Sequence, residues 1–556
     1  MYICISTHYI GDAASEEEIK AILWSLKAFK APRPDGLHAG FFHRFWLIVG
    51  NSVVDVIKKV FAEKVVPEYL NRTLIALIPK IQSPETLNNS RPISLCNTVY
   101  KVITKIIVAR LRPFLDKLIS PLQTAFFPRR KGIDNVIIVQ EIIHTLSRKK
   151  GRAGYMAIKI DLEKAYNKLE WSFIRDMLIR ANLPANLIDI IMSCISMVST
   201  SILFNGEALD PIYPSRGIRQ GDPLSPYLFI LCMEFLGQLI EEKCNAKLWQ
   251  PVKASCGGPA FSHLFFADDL VLFAKADHVN CSTVRDVINA FCNASGQLVS
   301  AAKSRVYFSP NVDRDSRESF CDILGFNSTP SLGKYLGIPI KHPGSSPQDF
   351  NCILDRVKNK LACWKANLLS LASRAVLIQA SSTAILVYVM QCTYTLNSIL
   401  KGVDRVNRNF LRGLTESSKK THWVRWQKVT KSKEESGLGL QSTKGRNTAL
   451  LTKLNWRFNV EKEALWARVL RQKYCSQRRI NSANANKLQC SQIWKAVKKG
   501  RGIFNEGSMW TIGRDSNLQF LWDNWTGKGS LRCTIQRPLT LGANWWKVCE
   551  FLLDFS

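Results

Sequence analysis

The chain has 556 residues and carries 76 Lys and Arg against 44 Asp and Glu, a net charge of +32. Its 46% hydrophobic and 22% charged content is that of an ordinary folded protein, which excludes a disordered chain and a disulfide-stapled miniprotein. The basic excess argues against an enzyme of small neutral substrates and for a polyanionic partner, because each neutralised phosphate releases counterions.

In chain order, residues 15–64 read as helices, with Phe41, Phe42, Phe45, Trp46 and Val49 at helical spacing. K-A-P-R-P-D-G-L (30–37) is a stiff turn between them. T-L-I-A-L-I-P (73–79) reads as a short strand, and a basic helix is expected from Val99 to Leu115. Y-M-A-I-K-I-D (155–161) is a strand that ends on aspartate, followed by a helix over 170–181. Residues 200–220 read as two strands joined at Asn205-Gly206. A helix over 224–242 leads to two apolar runs, L-F-F-A and L-V-L-F-A, that flank Asp268-Asp269. Helix 283–298 and strands near 304–308 and 334–340 close this block. From 350 onward the pattern is helical, basic and rich in tryptophan. Residues 351–556 hold 35 basic and 12 acidic residues, or +23, against +9 for residues 1–350.

The 16 cysteines are scattered with no C-x-x-C pair, which points away from a zinc ribbon and towards free thiols in a reducing compartment, nucleus or cytoplasm. The opening run M-Y-I-C-I-S-T-H-Y-I has no basic n-region, so no signal peptide is expected. The most apolar stretches, 187–204 and 224–240, contain Asp189 and Glu234 and read as core, so no membrane span is expected.

Three carboxylates carry the chemistry. Asp268 and Asp269 lie between two strand-like runs, and two carboxylates at a buried hairpin tip are tolerable mainly with a cation between them. A solvent-exposed turn is the competing reading. Asp161, at the end of its strand, supplies the third. Such a trio could hold two Mg²⁺ about 3.5–4 Å apart, one activating a hydroxyl and one neutralising a leaving pyrophosphate. The loop R-G-I-R-Q-G-D-P-L-S-P (216–226) has glycines that let backbone approach a planar ligand, with Gln220 placed to hydrogen-bond a nucleotide. An ordinary helix start with Asp222 as cap is the alternative.

The order D-L-E-K-A-Y, R-Q-G-D-P-L-S-P, F-A-D-D resembles motifs A, B and C of reverse transcriptases. L-I-P-K (77–80), R-P-I-S-L-C-N (91–97), Y-K-V-I-T-K-I-I-V-A-R-L (100–111), Q-T-A-F-F-P-R-R (123–130), S-G-Q (295–297) and Y-L-G-I-P (335–339) resemble the LINE-type non-LTR retrotransposon polymerases common in plants. The likeness extends over about residues 15–430. It implies an α+β right-hand polymerase: an N-terminal helical extension (1–70), fingers and an antiparallel-sheet palm (71–345), a helical thumb (346–430) and a basic Trp-rich C-terminal region (431–556). The resemblance makes Asp161, Asp268 and Asp269 the ligands of two Mg²⁺ ions, with Mn²⁺ a possible substitute. Tyr166 matches the steric gate that favours dNTPs. Lys80 and Arg91 match triphosphate contacts, Gln220 and Gly221 the nucleotide-positioning loop, and Lys303 a lysine proposed to protonate pyrophosphate. The implied partners are an RNA template, a DNA primer and dNTPs.

Four positions depart from the family pattern: Arg33 for glycine, Asn167 for aspartate, Ser300 for asparagine and Arg412 for tryptophan. Arginine would strain the turn at 33 if that turn needs φ > 0. The family's endonuclease, zinc-like tail and ribonuclease H domain are not recognised in this stretch, so a partial open reading frame is expected. The competing function is a catalytically inactive remnant that only binds nucleic acid through its basic second part. For most of the tryptophans, including Trp423, Trp426, Trp456, Trp466 and Trp494, a core role under charged helices competes with base stacking and is preferred.

Overall fold

The computed structural model describes residues 11–31, 33–81, 83–340, 351–362, 368–392, 397–414, 423–475, 490–512, 518–527, 530–535, 542 and 546–548. The opening ten-residue run and most of L-A-C-W-K (361–365) lie outside them. The chain is mixed helix and sheet, of α+β class, and divides into two units. One comprises 1–135, 146–253 and 260–332, the other 136–145, 254–259 and 333–556.

The first unit holds two sheets. In one, β1 (Thr73–Pro79) pairs antiparallel with β2 (Ser90–Cys96) and parallel with β4 (Thr200–Phe204), which pairs with β5 (Glu207–Ala208). The expected N-G hairpin forms because Asn205 and Gly206 both take positive φ, 49° and 92°, as a two-residue turn requires. The second strand stops at Ala208, although Thr200 and Ile212 still bridge. β2 was not anticipated: its central Pro92 obscures the strand pattern, and proline there faces the edge of the sheet.

The other sheet has the order β11-β10-β3-β9-β8, where β3 is Tyr155–Asp161, β8 His263–Phe266, β9 Asp269–Lys275, β10 Arg305–Phe308 and β11 Asn327–Ser328. β3 is antiparallel to both β9 and β10. β9, near the centre, buries Leu270, Val271, Leu272, Phe273 and Ala274 in succession, which explains a continuous apolar run in place of alternation. A short pair, β6 (Val252–Lys253) with β7 (Ala260–Phe261), completes the intervening strands. Helix Ser225–Asn245 packs Leu228, Phe229, Ile230, Cys232 and Met233 into the core. Pro226 is harmless in its first turn, where the missing N–H would have no partner. The expected strand near 334–340 does not join this sheet. Lys334–Tyr335 and Ile338–Pro339 form their own hairpin, β12–β13, within the second unit.

The second unit is mainly helical among its described residues. Helices Thr443–Val460 and Gln492–Gly507 pack closely, and Gly500 sits where a side chain would collide with the Leu451 carbonyl. Trp466 is fully buried and Trp494 stacks on Tyr474, whereas Trp423 and Trp456 are exposed. One stretch among the described residues, Leu371–Met390, is long and apolar enough to cross a membrane. It contains Arg374 and is interrupted by a π-helical turn at Ile378–Ser382, and its Ile378, Leu386, Val389 and Met390 are buried in this unit.

Burial also sets a pH response. Glu234 is pushed up to about 7 by desolvation, partly offset by the Ser120 N–H that its Oε2 accepts at 3.1 Å and by Arg130. A carboxyl with a folded pKa above its unfolded value near 4.3 stabilises fully below that value and loses its contribution as pH rises through 7. Glu234→Gln is therefore expected to match the parent's stability near pH 4. It should exceed it above pH 7 by on the order of 3 kcal/mol. Urea unfolding of both proteins between pH 4 and 8.5 reads the difference; a constant difference would show that folding does not shift the Glu234 pKa.

Candidate active site

The site is built at one end of the β3–β9 pair. Antiparallel register places Asp161, the last residue of β3, directly opposite Asp269, the first of β9. Asp268 precedes it in the β8–β9 turn. That turn contains no glycine, and Ala267 takes φ 53° to make it. The left-handed region costs alanine about 1 kcal/mol, so the fold holds the acidic pair in place against a local preference. The expected hairpin tip is thus present and strained, but it is not buried: Asp268 is exposed and Asp269 half-buried, so the competing reading of an exposed turn holds for Asp268.

Desolvation raises the pKa of Asp268, and the Asp161 charge adds to it, while Arg91 acts in the opposite direction. Asp269 is raised by burial and then by Asp268 and Asp161, against Lys159. Among the described residues, the ion pair at this carboxylate group is Lys303 Nζ to Asp161 Oδ1 at 3.8 Å, with Lys303 itself largely exposed. The backbone around Asp161 is fixed on both sides: its N–H donates to Ser304 Oγ at 3.1 Å, and its carbonyl accepts from Ser300 N–H at 2.9 Å. Carboxylate oxygens are the hard donors that a divalent cation such as Mg²⁺ prefers. Among the described residues, no three Asp, Glu, His or Cys side chains, these included, are gathered closely enough to hold a metal ion as they stand.

Tyr166 lies in the short helix Ala165–Lys168, stacked on Phe229 at 4.9 Å and 5° between planes. Burial raises its hydroxyl pKa, with the Asp268 charge contributing. The ring is thus both a core contact and a neighbour of the carboxylates. Lys80 and Arg91 sit at the far end of the β1–β2 pair, where Ile78 faces Arg91, and both are exposed. Lys80 Nζ donates to the Asn88 carbonyl at 3.1 Å.

Gln220 and Gly221 lie in a loop whose glycines serve a different purpose from the expected one. Gly217 (φ 88°) and Gly221 (φ 122°) face protein backbone: an added Cβ would stand 2.7 Å from the Asn167 carbonyl at one and 2.8 Å from the Ser94 carbonyl at the other. The Gln220 carbonyl accepts from Ser94 N–H at 2.7 Å. Asp222 does not cap the following helix, whose N-cap is Leu224; it bonds Leu224 N–H and the Tyr100 hydroxyl. A cavity of about 240 Å³ between Asn167, Ser94, Gly217 and Gln220 adjoins the loop.

A second cleft, about 430 Å³, was not anticipated. It is lined by Lys27, Lys30, Arg33, Lys101, Lys105 and the backbone side of Gly221. Burial lowers the pKa of Arg33, Lys101 and Lys105. Its cations come from segments some 70 residues apart, so no local run signals it. Arg33 is not strained: its φ is not positive, Gly36 (φ 69°) makes the turn, and Arg33 Nη1 donates to Thr98 Oγ1 at 2.6 Å. Two of the other three departures are accommodated too, and nothing in the structure explains Asn167. Ser300 holds the Asp161 backbone, and Arg412 Nη2 donates to the Val424 carbonyl at 2.6 Å.

The opposed strand-end carboxylates, the basic end of the β1–β2 pair and the glycine loop all belong to the first unit. Residues 78–340 match the family model described as reverse transcriptase (RNA-dependent DNA polymerase). It is 26% identical over 412 residues to the transposon TX1 uncharacterized 149 kDa protein of Xenopus laevis, covering 71% of this chain and 30% of that protein. It is 33% identical over 190 residues to a putative ribonuclease H protein of Arabidopsis thaliana, covering 34% and 31%. It is 26% identical over 345 residues to the retrovirus-related Pol polyprotein from type-2 retrotransposable element R2DM of Drosophila melanogaster, covering 60% and 31%. The chain spans about a third of the length of these relatives.

Proposed function

We propose that this chain is the RNA-directed DNA polymerase of a non-LTR retrotransposon, extending a DNA primer on an RNA template with dNTPs. The observation that carries the reading is the pairing of Asp161 with Asp269, with Asp268 beside them, inside the stretch matched by the reverse transcriptase model. On this reading β3, β8, β9 and β10 are the palm, β1 and β2 the fingers, and the helices after 346 the thumb.

Asp161, Asp268 and Asp269 would hold divalent cations, Mg²⁺ or Mn²⁺. Such ions, when bound, supply Lewis-acid activation of a hydroxyl and neutralisation of polyphosphate charge. The chain's own groups do the rest. Lys80 and Arg91, on a rigid hairpin, bind the triphosphate, lysine as a point charge and arginine as a fork. Tyr166 fills the space of a ribose 2′-hydroxyl, held there by its stack on Phe229. Gln220 orients the nucleotide from its loop. Lys303 Nζ, near Asp161, carries a proton available to departing pyrophosphate. The primer 3′-oxygen attacks the α-phosphorus, the bond to the β-phosphate oxygen breaks, and pyrophosphate leaves.

Primer extension with Mg²⁺, beside Asp268→Ala, tests the reading. Extension that disappears in the variant is the expected result; no extension by the parent, with salt-sensitive template binding retained, would establish the binding-only remnant. The cationic cleft is read as a contact for nucleic-acid phosphates. Lys27→Ala, Lys30→Ala and Lys105→Ala together are expected to make the slope of log K against log salt shallower by about 2, at about 0.7 per single-strand phosphate contact. An unchanged slope, from fluorescence anisotropy on a labelled template, would remove the cleft from the binding surface.

A further inference from the structure

The residues on either side of Gln220-Gly221 are buried and tied into one polar network. Arg219 is almost fully enclosed. Its Nη1 donates to Asn71 Oδ1 at 2.8 Å and Thr73 Oγ1 at 2.9 Å, and its Nη2 donates to the Cys194 carbonyl at 2.8 Å. The guanidinium lies over the Tyr100 ring at 4.2 Å. It faces Asp222 Oδ2 at 3.5 Å, and the same oxygen accepts from the Tyr100 hydroxyl at 2.7 Å. The anchors thus come from the start of β1 and three different helices, Glu68–Asn71, Thr98–Leu111 and Ala185–Ser196, while Gln220, between Arg219 and Asp222, is only half-buried.

A buried guanidinium is expensive to desolvate and is retained only when its fork is filled. Here every contact fixes the loop, and none reaches the carboxylates. We infer that Arg219 is the positioning residue of the nucleotide loop: it locks the backbone at Gln220-Gly221 in a preformed shape, so that dNTP binding does not have to order it. This rests on the polymerase reading. Lysine at this site would keep the charge facing Asp222 but could not serve Asn71, Thr73 and Cys194 together.

Arg219→Lys is expected to raise KM for dNTP at least tenfold while kcat stays within threefold and template–primer affinity within twofold. Tyr100→Phe, which removes only the hydroxyl, should raise KM in the same direction by about threefold, less than Arg219→Lys does. A loss of melting temperature and of kcat with KM unchanged would make Arg219 merely structural and overturn the inference. A readout independent of catalysis separates this from failure of the polymerase reading. Trypsin cleavage after exposed Arg216, followed by mass spectrometry, reports opening of the loop. Arg219→Gln should accelerate that cut at least fivefold relative to cuts elsewhere. If the parent does not extend primers, the polymerase reading fails alone. If cleavage after Arg216 is unchanged, the inference fails whatever the activity.

Discussion

Asp269→Asn is expected to raise the melting temperature of the metal-free protein by about 1–3 °C while lowering polymerase activity by about 10³-fold or more. The two effects share one cause. Asp269 stands directly across the β3–β9 ladder from Asp161 and next to Asp268, and like charges opposite each other on a sheet are destabilising. Burial adds to the penalty, as the raised pKa of Asp269 records. Asparagine keeps the shape and removes one of the three charges, a relief of about 1 kcal/mol. The same change deletes a ligand of the proposed cations. Millimolar Mg²⁺ should therefore raise the melting temperature of the parent and leave the variant almost unmoved, because only the parent binds the ion in its folded state. Scanning fluorimetry with EDTA and with Mg²⁺ reads this without requiring turnover. A variant less stable than the parent in EDTA would show that the carboxylate serves the fold, and would remove the case for a site built at the expense of stability.

Much of this site was legible because its parts are local. A strand that ends on Asp161, two strands that meet at Asp268-Asp269, and an N-G turn each carry a short-range pattern. Register then does the remaining work: if β3 and β9 pair antiparallel, the residue ending one must face the residue starting the other. What was not legible is what depends on distant residues. β2 was hidden by Pro92, whose meaning changes once the strand is known to lie at an edge. The glycines of the 216–226 loop suggested ligand approach, yet the crowding at Gly217 and Gly221 comes from Asn167 and Ser94, which no local pattern connects to them. Arg33 looked like damage. Its side chain has a buried partner 65 residues away and its backbone stays outside the left-handed region.

The second large effect lies in the other unit. Lys473→Met is expected to destabilise it by about 3–5 kcal/mol, whereas Lys473→Met with Glu141→Gln together should recover most of that loss. Glu141 is completely enclosed. Its Oε2 accepts from Lys473 Nζ at 2.8 Å and the Tyr474 hydroxyl at 2.9 Å, and its Oε1 accepts from Ser491 Oγ. Lys473 Nζ also donates to the Glu141 carbonyl at 2.9 Å. Removing only the lysine leaves a carboxylate in the interior without its counter-charge, and that stranded charge, more than the lost bond, sets the cost. Neutralising both partners removes the stranded charge and leaves an amide that can still bond Tyr474 and Ser491. A double-mutant cycle by urea unfolding measures the coupling; additive losses would mean that the pair acts independently. The consequence reaches beyond one ion pair. Glu141 belongs to helix Gly132–Leu146, inside the stretch matched by the reverse transcriptase model, while Lys473, Tyr474 and Ser491 lie more than 130 residues past its end. A chain cut after residue 430 would leave Glu141 without any of these donors. It should therefore be less soluble and less stable than the full chain, and Glu141→Gln should partly restore it. That rescue would show that the basic, tryptophan-rich region is a folding partner of helix Gly132–Leu146, with any role in binding nucleic acid added to that one.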